Sequence, residues 1–238
     1  MKERTNKDPW LSIILPTLNE ASVLASTLRS LQPARNNEAE IIIVDGGSTD
    51  GTLEIACAQA DIVLRSSRGR AVQMNHGARH AKGTCLLFLH ADTRLPVGTP
   101  RLLKQEMDKS NAWGRFDIRL SGNHRLFRVI EFLINQRSRM TGIATGDQCI
   151  FVRPELFWQV GGYSEIPIME DIALSKSLGK SAPPVCLGPK ATTSSRRWEQ
   201  NGIVRTIFLM WSLRLFYSLG INPETLSRWY RQFVPCRR

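Results

Sequence analysis

Long apolar runs, paired cysteines and phosphate-cradling glycine loops are all missing from this 238-residue chain, and each absence removes a class of protein. No uncharged apolar stretch approaches the ~20 residues that a membrane-spanning helix needs. The nearest, Ile203 to Ile221, is broken by Arg205 and Arg214. The polar segment Met1 to Pro9 lacks an apolar h-region, so no secretory signal is expected. Cys57, Cys85, Cys149, Cys186 and Cys236 are odd in number and never form C-x-x-C. That usage suits a reducing compartment better than a disulfide framework or a zinc site. Neither G-x-G-x-x-G after a strand nor G-x-x-x-x-G-K-[ST] occurs, which argues against a dinucleotide oxidoreductase and a P-loop NTPase.

What is present is an ordinary globular composition, 42% apolar and 22% charged, at a length that fits one domain with a proper core. The net charge of +11 calls either for an anionic partner or for nothing more than a basic surface. Aromatic residues do not interleave with the basic ones as a single-strand binder requires, so no nucleic acid is expected.

Apolar runs at Leu11 to Leu15, Ile41 to Val44, Ile62 to Leu64 and Cys85 to Leu89 read as buried strands. Between them lie helical patterns. Leu24, Leu28 and Leu31 share one face behind a cap at Asn19, a helix starts near Asp50, and Ala71, Met74, Ala78 and Ala81 trace another face. Strands alternating with helices predict a parallel sheet covered on both sides. Ligands bind beyond the carboxyl ends of such strands. Pro16 to Glu20, Asp45 to Asp50 and His90 to Thr93 are therefore expected to converge on one crevice.

The second half changes character. Phe116, Ile118 and Leu120 alternate with Arg115, Asp117 and Arg119, which predicts a half-exposed strand. Leu126 to Ile134 reads as helix, Cys149 to Val152 as strand, and Pro154 opens a short helix that stops at Gly161-Gly162. The Gly/Ser/Pro-rich stretch Ser175 to Pro184 reads as a mobile loop. The helix Ile203 to Ile221 is open to three roles: packing on the domain, a dimer surface, or shallow membrane contact.

Five segments stand in a recognisable order: ILPTLNE (Ile14 to Glu20), IIVDGGSTDGT (Ile42 to Thr52), GRAVQMNHGA (Gly69 to Ala78), FLHADT (Phe88 to Thr93) and MED (Met169 to Asp171). Together they resemble the family 2 glycosyltransferases, over about residues 11 to 200. The finer pattern of HADT, GDQ and SSRRW resembles a small bacterial subgroup labelled radical-SAM/selenodomain-associated or arsenosugar-biosynthesis glycosyltransferases. The resemblance implies an α/β fold of GT-A type, a mostly parallel central sheet flanked by helices. Residues 1–10 would be a polar tail and 11–200 the catalytic domain, divided into a nucleotide-binding half (11–95) and an acceptor-side half (96–200). A helical segment (201–238) would follow.

The same resemblance implies an inverting transfer from a UDP- or GDP-sugar to a small-molecule or lipid-linked hydroxyl acceptor, assisted by Mg²⁺ or Mn²⁺. Asp45 would hold the nucleoside, with Pro16, Thr17, Glu20 and Ala91 around it, although Asp-Gly pairs also make turns unaided. Arg70 would face the base or the phosphates, while Arg68 is expected in solvent. Asp92 is the candidate metal ligand, since a hard cation on a diphosphate takes carboxylate oxygen. The chain has His90-Ala91-Asp92 where the family often has Asp-x-Asp. His90 is either a nitrogen ligand or a structural residue at a strand end. His76 and His80, four apart, have metal-compatible spacing but no third ligand nearby, and read as helix-surface residues.

Glu170 and Asp171 resemble the family's catalytic pair, Asp171 taking the acceptor proton, against the plainer reading of an acidic helix start. Gly146, Asp147 and Gln148 would contact donor sugar or acceptor. Arg196, Arg197 and Trp198 resemble a shortened Q-x-x-R-W element whose arginines could clamp a diphosphate or sit in solvent. A catalytically idle nucleotide-sugar-binding protein and, more remotely, a basic nucleic-acid-binding domain are the competing readings. The expected location is the cytoplasm, with peripheral contact at the inner face of the membrane left open.

Overall fold

The computed structural model describes residues 8–36, 38–109 and 112–233; Cys236 and most of the N-terminal tail lie outside them. Seven strands form one sheet in the order β3-β2-β1-β4-β6-β5-β7. Strands β1 (Leu11–Thr17), β2 (Ala39–Asp45), β3 (Ile62–Arg65) and β4 (Cys85–Phe88) are parallel. The short β6 (Phe151–Val152) runs against both its neighbours, β4 and β5 (Trp113–Leu120), and β7 (Val185–Thr193) is parallel to β5. The sheet is thus mixed but mostly parallel, as expected.

Strands β1, β2 and β4 are apolar on both faces because both are covered. One core holds Leu11, Ile13, Ile41 and Leu87 against Leu24, Leu28 and Leu31 of α1 (Ala21–Arg35). The other sets Ile14, Ile42 and Phe88 against Ala71, Met74 and Ala78 of α3 (Arg70–His80). Helix α2 (Thr52–Gln59) links β2 to β3, and α4 (Thr99–Asp108) links β4 to β5. The close seat of α3 needs Gly77, where an added Cβ would lie 2.5 Å from Ile14 Cγ2.

Three expectations are corrected. Ser175 to Ser181 is not loop but the continuation of α7 (Glu170–Ser181), because Leu174, Ser175 and Leu178 bury one face and Ser175 Oγ donates to Ala144 O. The strand at Arg115 to Arg119 is exposed only at Arg119. Arg115 and Asp117 are buried as an ion pair, and helix α5 (Arg125–Thr141) covers them with Arg139 at 2.7 Å from Asp117 and Asn135 bonded to Ile118. Asn19 does not cap α1. Its backbone has φ 55°, its Oδ1 accepts from Thr49 N, and the first turn of α1 is held instead by Asp50 Oδ2, which accepts from Ala21 N.

Helices α6 (Pro154–Gln159), α8 (Arg196–Asn201), α9 (Ile203–Ser218) and α10 (Pro223–Phe233) complete the chain. Leu213 of α9 and Leu226 of α10 pack with Met169 and Ile172, which seats the C-terminal helices against the start of α7. Among the described residues no helix is long and apolar enough to cross a membrane.

Candidate active site

The loops after β1, β2 and β4 meet beyond the strand ends. Asn19 N donates to Ser48 Oγ at 2.9 Å and Glu20 N to Thr52 Oγ1 at 2.9 Å, which stitches the first loop to the second. Gln73 Nε2 donates to both Thr17 O and Val44 O, anchoring the two strand ends to α3. This residue was missed in the sequence. Its signal was a lone amide beside the apolar face of a predicted helix.

Asp45 ends β2 fully buried. Its Oδ2 accepts from Gly47 N and Ser48 N, both at 2.9 Å, and Ser48 Oγ donates to Oδ1. Pro16 and Thr17 are buried beside it, with Thr17 Oγ1 3.4 Å from Asp45 Oδ1. In this geometry Asp45 shapes the turn and does not line the cleft described next.

The loop after β4 is held from two sides. Thr27 Oγ1 of α1 donates to Ala91 O at 2.6 Å, and Thr93 Oγ1 bonds Thr193 Oγ1 of β7 at 3.0 Å. Ala91 is therefore buried, while His90 and Asp92 reach a cleft of about 1000 Å³ shared with Glu20, Asp147, Arg196 and Arg197. A smaller cavity opens beside it, lined by Arg70, Gly146, Glu170 and Asp171. His90, Thr145, Asp147, Arg197, Met210 and Arg214 belong to both. Asp92 and Asp171, on segments far apart in the chain, thus line adjoining spaces with a common wall.

Electrostatics divide that space. At the Asp92 end, burial and then the Asp92 charge push the Glu20 carboxyl above its ordinary value, opposed by Arg196 at 3.9 Å. One Glu20 oxygen, Oε2, is buried without a hydrogen-bond partner. In the middle, His90 Nδ1 lies 3.2 Å from Asp147 Oδ1. Burial resists ionisation of Asp147, but the His90 bond and charge, helped by Arg197 and Arg70, hold it well below the usual carboxylate range. At the far end, burial raises Glu170 while Arg70, 3.6 Å away, pulls the other way.

Asp171 stands in the first turn of α7 with both oxygens occupied by backbone donors, Gly146 N at 2.8 Å and Ile172 N at 2.7 Å. Each carboxylate oxygen retains a lone pair for a substrate hydroxyl. The GDQ segment is a 3-10 turn, Gly146–Gln148, and its members diverge. Asp147 faces the cleft, whereas Gln148 is buried and its Oε1 accepts from Thr145 N. Trp198 lines the large cleft and packs on Leu120, Phe127 and Ile130. Arg68 is exposed, and His76 and His80 on α3 meet edge-on with ring centroids 4.8 Å apart. Among the described residues no group of three or more His, Cys, Asp or Glu is assembled to hold a metal. Sequence reasoning also missed Arg137 and Arg214, which reach the same cleft from α5 and α9.

The family model for glycosyl transferase family 2 matches residues 12–161. A PGL/p-HBAD biosynthesis glycosyltransferase of Mycobacterium bovis is 43% identical over 94 residues, 37% of this chain and 37% of that protein. The fold matches that of S. aureus TarS 1-349, also solved with UDP-GlcNAc, with a TM-score of 0.63 at 19% identity over 83% of this chain and 64% of that one. It likewise matches the mannosyltransferase PcManGT from Pyrobaculum calidifontis, solved with GDP-Man and Mn²⁺, with a TM-score of 0.59 at 21% identity over 79% and 57%. The chain spans little more than a third of the mycobacterial relative's length. With the family model matched over residues 12–161, this chain belongs to glycosyl transferase family 2.

Proposed function

We propose that the protein is an inverting glycosyltransferase that moves a sugar from a nucleoside diphosphate to an acceptor hydroxyl. The observation that carries the reading is the lining shared by the cavities of Asp92 and Asp171 (His90, Thr145, Asp147, Arg197, Met210 and Arg214), which sets the two spaces side by side. A diphosphate at the first position leaves the anomeric carbon facing the second.

The residues present fit a divalent cation at the Asp92 end. Burial and the Asp92 charge raise the Glu20 carboxyl, whose Oε2 lacks a hydrogen bond and has Arg196 facing it at 3.9 Å; a bound cation relieves the like-charge contact. One or two carboxylates with substrate phosphates are what Mg²⁺ and Mn²⁺ ordinarily take. Asp92 would hold it, Glu20 beside it, and the cation would supply charge neutralisation for the leaving diphosphate. GDP-Man with Mn²⁺ in PcManGT and UDP-GlcNAc in TarS support the donor class. Arg196 and Arg197 clamp the donor's anionic region, Asp45 keeps the nucleoside loop in shape, and Arg70 holds Glu170.

Asp171 accepts the acceptor's proton as the hydroxyl oxygen attacks the anomeric carbon, and the bond to the diphosphate oxygen breaks with its electron pair. One displacement inverts the centre. The HADT, GDQ and SSRRW segments support membership of the radical-SAM/selenodomain-associated or arsenosugar-biosynthesis subgroup, and the reading includes a cytoplasmic location and a hydroxyl acceptor that is either soluble or lipid-linked. The test is a thermal-shift screen of UDP, GDP and their sugars with and without Mn²⁺. A nucleotide-specific, metal-dependent rise supports the reading, and no response to any of them refutes it.

A further inference from the structure

Two arginines in the cleft have no task in the scheme above. Arg137 lies in the last turns of α5, Arg214 in the middle of α9, and both line the large cleft. Arg137 Nε and Nη2 and Arg214 Nε are buried without a hydrogen-bond partner. Among the described residues neither guanidinium makes an ion pair. Burial, then the neighbouring Arg214 charge, pulls Arg137 down to about 10, and burial lowers Arg214 as well. The carboxylate that favours both charges is Asp171. By contrast Arg196 is paired with Glu20 at the Asp92 end. Unsatisfied, like-charged guanidinium groups cost stability unless an anion bridges them, and their planar forks match the oxygens of a phosphate.

We propose that Arg137 and Arg214 form an oxyanion subsite that binds a phosphate monoester carried by the acceptor, next to the hydroxyl that Asp171 deprotonates. The inference rests on the donor and base assignments above for its place in the reaction, and on the arginines alone for the anion. An acceptor fixed by its own phosphate is held apart from the donor's diphosphate, so two anionic substrates occupy one cleft without competing.

The probe is glycerol 3-phosphate, measured by thermal shift alone and with saturating nucleotide and Mn²⁺. The wild type is expected to rise by about 3 °C or more under both conditions. Arg137→Gln and Arg214→Gln should each weaken the response at least about tenfold in concentration. Their ligand-free melting temperature should be unchanged or higher, since each removes an unpartnered buried charge, whereas a merely structural arginine would lower it. Arg29→Gln, on the exposed face of α1, is the control that keeps the response.

Vesicles containing phosphatidic acid, compared with phosphatidylcholine alone, form a second arm. Sedimentation that needs both arginines assigns a lipid-borne phosphate, and a response to glycerol 3-phosphate without it assigns a soluble one. A response that nucleotide abolishes would put the arginines in the donor's path and overturn the subsite, as would silence in both arms. Glycerol 3-phosphate binding that persists while no nucleotide binds would count for the subsite and against the donor reading.

Discussion

Gly146 N donates to Asp171 Oδ2 at 2.8 Å, so a single hydrogen bond ties the 3-10 turn that carries Asp147 to the first turn of α7. The same glycine lies against His90, where an added Cβ would come within 2.6 Å of Nε2. Three segments of different origin are thereby held at one point of the cleft. Gly146→Ala is expected to displace the end of the His90 ring and loosen its contact with Asp147. Transfer should fall about tenfold or more while the melting temperature changes little, because the clash is with a movable side chain. Equal turnover in the variant would show that this contact does not position the site.

Glu20 predicts a pH signature. Its carboxyl is raised by burial and by Asp92, so the folded state binds its proton more tightly than the unfolded chain does. That group's contribution to stability is present below the unfolded value and is lost as pH rises through the folded one. Glu20→Gln should therefore raise the melting temperature at pH 7 without metal, with the gain vanishing toward pH 4. Excess Mn²⁺ should shrink the gain if a cation relieves the same repulsion. Denaturation curves across this range are the check, and a loss of stability at pH 7 would contradict the assignment.

Arg196 faces Glu20 at 3.9 Å across the Asp92 end of the cleft. Arg196→Gln should weaken nucleoside diphosphate affinity by about tenfold, the worth of a charge-assisted hydrogen bond. Titration calorimetry at two salt concentrations reads this directly, and unchanged affinity would return Arg196 to solvent.

Packing around β5 gives a stability prediction independent of function. A Cβ on Gly114 would sit 2.4 Å from Val185 O and 2.5 Å from Phe151 Cζ, the first of these being backbone on the neighbouring strand. Gly114→Ala should destabilise by about 1–3 kcal/mol, as overpacking does. Urea denaturation measures it, and a neutral result would mean that β5 and β7 pack more loosely.

The parallel half of the sheet was legible because β1, β2 and β4 are covered on both faces, so they read as apolar runs with polar loops standing out at their ends. Arg115 and Asp117 misled the alternation rule because their partners, Arg139 and Asn135, arrive from a helix some 20 residues on. Ser175 and Gly179 looked like loop residues, yet Leu174 and Leu178, one turn apart and buried, hold α7 through them. Asp92, Asp171 and Arg197 could be picked out from motifs. Arg137 and Arg214 could not, since 77 positions separate them and only the fold of α9 over the cleft brings both to it. Asp45 stands at the strand end where it was expected, but its oxygens serve the turn.

The account turns on a division of labour between Asp92 and Asp171 along one cleft. The most direct measurement is nucleotide affinity with Mn²⁺, together with turnover of the donor sugar, in Asp92→Ala and Asp171→Asn. Asp92→Ala should lose the metal-dependent part of nucleotide binding, whereas Asp171→Asn should bind nucleotide as the wild type does and turn over about 10²- to 10⁴-fold more slowly. Full turnover in Asp171→Asn, or undiminished metal-dependent binding in Asp92→Ala, would contradict it.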